Sequence, residues 1–105
     1  MPLGYRFINA PSEFTKRMLL RRMSFGRAAD DAETLNAIAW GAVLLVQGTI
    51  PELFYAVDVG TKASAVYVGE VLGNCPQNIV SMAFVGSVAD VRQVLAALKS
   101  EGVVA

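Results

Sequence analysis

The sequence predicts an α/β fold of ferredoxin-like type, an antiparallel sheet with helices packed on it. From residue 37 the chain reads strand, helix, strand, strand, helix, which is the opening order of a β-α-β-β-α-β sandwich. Both helices carry start signals. Thr49-Ile-Pro-Glu52 is a capping box, and Ser87 with Asp90 forms a cap and a third-position acid. The runs between the helices are rich in Val and Tyr or continuously apolar, as strands require.

Taken in order, residues 3–9 form a short strand that breaks at Pro11. Residues 13–23 fit two elements. Their propensities favour a helix, yet Phe14, Lys16, Met18 and Leu20 lie on one side of a strand. Residues 24–36 are small and polar and form a connector, with room for one short helix. Ala37–Val46 is a strand buried on both faces, and Gly48 opens a turn. Pro51 fits the first turn of the next helix, where its missing N–H costs little. That helix runs to Ala63, with Leu53, Phe54, Val57 and Gly60 inward. Ala65–Leu72 and Ile79–Val85 are strands joined by a loop over Gly73–Asn78. The last helix turns Val88, Val91, Val94, Leu95 and Leu98 to the core and ends at Gly102. No fourth strand follows it. Residues 13–23 are assigned to supply that strand from the other end of a circularly permuted chain. The expected organisation is one domain over 1–105. Residues 1–12 are an N-terminal extension, 13–23 the permuted strand and 37–105 the main body.

Composition points to assembly. Hydrophobic residues make up 54% of the chain and charged residues 17%. The usual values are about 45–50% and about 25%. A chain of 105 residues has too much surface for that balance, so apolar surface is expected to meet other subunits. Formal net charge is zero, which offers no broad field for nucleic acid or an acidic membrane. Arg17, Arg21 and Arg22 either meet an acidic partner or lie on a solvated face, and the short cluster favours the latter. The longest apolar stretch falls short of the roughly 20 residues a membrane helix needs. The N-terminus lacks a signal-peptide core, and one cysteine makes no internal disulfide. A reducing cytoplasm is the simplest compartment.

Catalytic chemistry is absent from the pattern. There is no histidine, no phosphate loop, no Gly-x-Gly-x-x-Gly after a strand and no Ser/His/Asp set. Asp58 and Glu70 make no recognisable acid–base pair. Trp40 and Phe54 are core or interface anchors. Cys75, the single cysteine, sits in Leu72-Gly-Asn-Cys-Pro-Gln-Asn-Ile-Val80. Alone, such a cysteine is a small buried hydrophobe.

Three stretches resemble the bacterial microcompartment (BMC) shell domain. They are Gly48-Thr-Ile-Pro-Glu-Leu-Phe-Tyr-Ala-Val-Asp-Val-Gly-Thr-Lys-Ala-Ser64, Val66-Tyr-Val-Gly-Glu-Val71 and Ala83-Phe-Val-Gly-Ser-Val-Ala-Asp-Val91. The long leader resembles the permuted branch of that family. Gly73-Asn-Cys-Pro-Gln77 is similar to the motif of the U-type shell proteins of glycyl-radical propanediol microcompartments. The resemblance implies a structural protein, not an enzyme. It implies a homohexamer that tiles a polyhedral shell in the bacterial cytoplasm, with other shell proteins and encapsulated enzymes as partners. It places the loop with Gly73, Asn74, Pro76 and Gln77 at a central pore, and Lys62 at the hexamer edge. Residues 4–9 would form an added barrel or cap. The family often carries small Gly-Ser-Gly-like residues at the pore. Cys-Pro-Gln departs from that pattern, which puts simple metabolite passage in doubt.

In a hexamer, one Cys75 per chain becomes a ring of thiols about one axis. Iron–sulfur clusters are held by thiolates, and the U-type resemblance implies a 4Fe-4S cluster shared between subunits. Gly73 lets the backbone approach the axis, and Pro76 fixes the loop. Asn74 and Gln77 can hydrogen-bond cluster sulfurs. Such a cluster would transfer electrons, be delivered to an enclosed enzyme or plug the pore. The competing expectation is a ferredoxin-like small-molecule-binding regulatory module without metal. A redox enzyme subunit ranks behind both.

Overall fold

The computed structural model describes residues 2–24, 39–72 and 80–105. Its elements are β1 (Gly4–Asn9), α1 (Glu13–Arg22), β2 (Met23–Ser24), β3 (Ala42–Gly48), α2 (Ile50–Ala63), β4 (Tyr67–Val71), β5 (Val80–Gly86) and α3 (Val88–Ser100). The strands form a five-stranded sheet in the order β1-β3-β5-β4-β2. Every neighbouring pair is antiparallel.

The permutation is visible in this order. If the chain is read from β3, the elements run β3-α2-β4-β5-α3 and then β1. The sheet order becomes fourth, first, third, second, that of the ferredoxin-like sandwich. The closing strand is β1, which pairs with β3 from Gly4 opposite Gln47 to Asn9 opposite Ala42. Residues 3 and 103 adjoin: the Leu3 N–H donates to the Val103 carbonyl at 2.8 Å, and Leu3 bridges Val104 in parallel.

Two expectations are corrected here. Residues 13–23 are not the missing strand, and residues 4–9 are a sheet strand rather than a barrel or cap. The physical reason is occupancy of one site. β1 fills the place beside β3 and turns Tyr5 and Phe7 to one core and Ile8 to the other. Residues 13–22 then follow their helical propensity. Ser12 caps them, its Oγ accepting the Thr15 N–H at 3.3 Å. Glu13 lies in the first turn and Arg21 and Arg22 in the last, each complementing the helix dipole.

Strand side chains alternate between faces, and β3 is buried on both, as expected. Leu44 and Val46 join Leu53, Phe84, Val91, Val94 and Leu98 beneath α2 and α3. Val43 joins Ala83 and Val85 on the opposite face, where Leu19, Met23 and Trp40 pack half-buried. The strand starts later than expected, at Ala42. The connector expected at 24–36 lies almost wholly outside the described residues.

Helix α2 differs in two details. It buries Leu53, Ala56 and Gly60, while Phe54 points out and is 63% exposed. The helix is therefore rotated slightly from the expected inner face. Thr49 is its N-cap, but the side chain makes no cap hydrogen bond. The Thr49 carbonyl accepts the Leu53 N–H at 3.0 Å, the first bond of the helix. Helix α3 follows expectation. Ser87 Oγ accepts the Asp90 N–H at 3.1 Å, and Val91, Val94 and Leu98 are buried. Gly102 has φ +73°. The bonds Gly102 N–H to Lys99 O at 3.1 Å and Val103 N–H to Leu98 O at 2.9 Å complete a Schellman stop.

Candidate functional site

The candidate site lies at the sheet end where β4 passes to β5. Val71 is paired with Ser81, and Val80 with Gly48. On the outer side β2 holds the end of β4, with Met23 opposite Val71. The Leu72 N–H donates to the Arg22 carbonyl at 2.7 Å. Thus the last described residue before the cysteine segment is tied to the end of α1. Leu72 is 52% exposed. The segment with Gly73, Asn74, Cys75, Pro76 and Gln77 lies outside the described residues.

The donor inventory limits what a single chain can ligate. The sequence has one cysteine and no histidine. Among the described residues no three His, Cys, Asp or Glu side chains gather as a metal set. A thiolate-held cluster on this protein therefore needs cysteines from several copies.

Lys62 is placed in the last turn of α2. Its Nζ donates to Asp58 Oδ2 at 2.9 Å, an i,i+4 pair with the acid N-terminal, and both side chains are well exposed. The hydrogen bond and the charge of Asp58 raise the Lys62 pKa. Asp58 thus has a local structural partner in Lys62.

Asp90 links the two helices on the sheet. Ser64, at the end of α2, donates to Asp90 Oδ1 at 2.5 Å, and Ser87 donates to Oδ2 at 2.8 Å. These two bonds hold the carboxyl pKa below its usual value. Sequence reading found the cap, because the Ser87–Asp90 spacing is local. It missed Ser64, which is 26 positions away.

Sequence reading also did not place the exposed apolar side chains. Phe14, Met18, Ile50, Phe54, Tyr55 and Leu72 are all at least half exposed. The only signal for them was the excess of hydrophobic residues. Among the described residues, no helix is long and apolar enough to cross a membrane.

The fold matches solved structures over nine-tenths of the chain. The ligand-free structure of the GrpU microcompartment shell protein from Pectobacterium wasabiae is 30% identical, with a TM-score of 0.64. The match covers 91% of this chain and 99% of that one. The chain belongs to the microcompartment shell-protein family. The ligand-free GrpU shell protein from Clostridiales bacterium 1_7_47FAA is 27% identical with a TM-score of 0.58, covering 92% of this chain and 84% of that one. No protein-family model matches the sequence, and no curated relative does. Shell proteins of this family are structural rather than enzymatic.

Proposed function

We propose that this chain is a protomer of a bacterial microcompartment shell, assembling into hexamers that tile the shell with other shell proteins around encapsulated enzymes. The observation that carries this reading is the match over 99% of a solved shell protein at 30% identity. Exposed apolar residues on α1 and α2 support assembly. Family membership decides against the small-molecule regulatory module. Lys62, exposed at the end of α2, is proposed to lie at the hexamer edge, oriented by its bond to Asp58.

The segment between β4 and β5 is proposed to line a central pore. There Cys75 thiolates from several protomers would hold a 4Fe-4S cluster. The donor chemistry fits, since one thiolate per chain becomes a multi-thiolate set only in a ring. A bound cubane supplies one-electron redox chemistry at the shell. Asn74 and Gln77 would tune it by hydrogen bonding.

The test is anaerobic purification and reconstitution of wild type and Cys75→Ser in parallel, read by visible absorption and by iron and sulfide content. Charge-transfer absorption with about one cubane per six wild-type chains, and none in the variant, is expected. Iron in neither protein would remove the cluster and leave a plain shell subunit. The glycyl-radical propanediol setting would be tested by co-purification of a glycyl-radical enzyme with intact shells.

A further inference from the structure

Two exposed patches on opposite faces of the sheet complement each other. The first is on α1, none of whose residues is buried. Phe14 is 76% and Met18 63% exposed, one turn apart on one stripe. Arg17, Arg21 and Arg22 are exposed beside them. Among the described residues these arginines form no ion pair, whereas Lys16 is held by Glu13 at 3.2 Å. The patch is apolar and basic.

The second patch is on α2 and the end of α3, and it is apolar and acidic. Ile50, Phe54 and Tyr55 are exposed there. Glu52, Tyr55 and Glu101 line a hollow of about 320 Å³ beside Pro51. The Tyr55 hydroxyl donates to Glu101 Oε2 at 3.4 Å. An aromatic ring that shares a hollow with two carboxylates suits a guanidinium, which combines cation–π and charge-assisted contacts.

The two patches cannot meet within one chain. Leu19 of α1 packs on the sheet face with Val43, Ala83 and Val85, whereas α2 and α3 cover the other face. They can meet between copies. We infer that the basic apolar face of α1 on one copy docks on the acidic aromatic face of α2 on the next. The inference rests on the shell-protomer reading above and names the surfaces that would make the ring. Contact between two different surfaces is heterologous, and it closes into a ring where the rotation permits.

Charge reversal tests it with whole chains. One variant carries Arg21→Glu and Arg22→Glu. The other carries Glu52→Lys and Glu101→Lys. Circular dichroism confirms folding, and sedimentation velocity reads assembly. Each variant alone is expected to self-associate at least about tenfold more weakly than wild type, since like charges then face each other. Mixing the two variants in equal amounts restores assembly. In an alternating ring every contact again pairs opposite charges. Folded variants that each assemble like wild type would overturn the inference and assign the α1 face to a different occupant. A mixture that stays dissociated would also overturn it. A monomeric wild type would overturn the shell-protomer reading and this one with it.

Discussion

Gly60 lies inside the stretch that resembles the shell domain, and the structure gives it a physical task. A Cβ at this position would sit 2.6 Å from Phe84 Cε1 and 3.0 Å from Val94 Cγ1. Ordinary carbon–carbon contact is about 3.5–4.0 Å. Phe84 and Val94 are both fully buried, so neither can swing away. Over-packing of a filled core costs about 1–3 kcal/mol. Alanine in place of glycine within a helix returns about 0.8–1 kcal/mol. The balance for Gly60→Ala is a net loss of about 1 kcal/mol. Gly60→Val adds two further methyl groups and a β-branch, so its loss is about 3 kcal/mol or more. Gly4→Ala is the control. A Cβ there meets nothing within 4 Å, and the change should stay within about 0.5 kcal/mol. The assay is urea unfolding at one fixed protomer concentration, because assembly couples to stability. With a slope of about 1–1.5 kcal/mol per molar, Gly60→Ala lowers the midpoint by roughly 0.7–1 M. A Gly60→Ala midpoint at or above wild type, with Gly4→Ala unchanged, would refute the close seating of α2 on β5.

Other consequences can be checked in the same assay. Ser87→Ala removes the α3 cap and should cost about 1 kcal/mol, while Ser87→Asp should recover part of it. Asp90 has a folded pKa below its unfolded value of about 3.9. Its contribution to stability is therefore fully present above that pH and is lost as pH falls through the lower folded value. Midpoints of wild type and Asp90→Asn should accordingly converge in acid, whereas a gap that stays constant would dismiss the carboxylate's role. Gly102→Ala meets no steric neighbour but must adopt φ +73°. It should cost about 1 kcal/mol, with Gly102→Asn closer to wild type.

The main body of the fold was legible because its signals are local. Ser87 and Asp90 start α3, Pro51 sits in the first turn of α2 and Gly102 stops α3, and each is read within a few residues. The strand β3 was legible because continuous apolar runs suit a strand buried on both faces. Residues 13–23 were not legible, because Phe14 and Met18 fit a helix stripe and a strand side equally well. What decides the matter is pairing of Gly4–Asn9 with β3, roughly 40 positions away, and no local pattern carries that. The inner face of α2 failed for a related reason. Leu53, Val57 and Gly60 admit either Phe54 or Ala56 beside them, and size favours the aromatic. The outcome is set by the lack of space against Phe84. Exposure of Phe54 then makes sense as surface for another chain. Of the candidate site, only local facts were legible: Lys62 falls in the last turn of α2, as a helix running to Ala63 requires, and its bond to Asp58 follows from simple i,i+4 spacing, whereas a place at a hexamer edge is a property of the assembly. The role of Cys75 rests on symmetry between copies, which one chain does not display.

A ring of identical protomers that shares one cluster through Cys75 has a defined mass. Native mass spectrometry of anaerobically reconstituted protein tests it most directly. A six-chain species carrying the added mass of one 4Fe-4S cluster is expected, with Cys75→Ser giving the same six-chain species without it. A monomer or dimer at micromolar concentration would contradict the shell assembly, and a six-chain species with no added mass in the wild type would contradict the cluster.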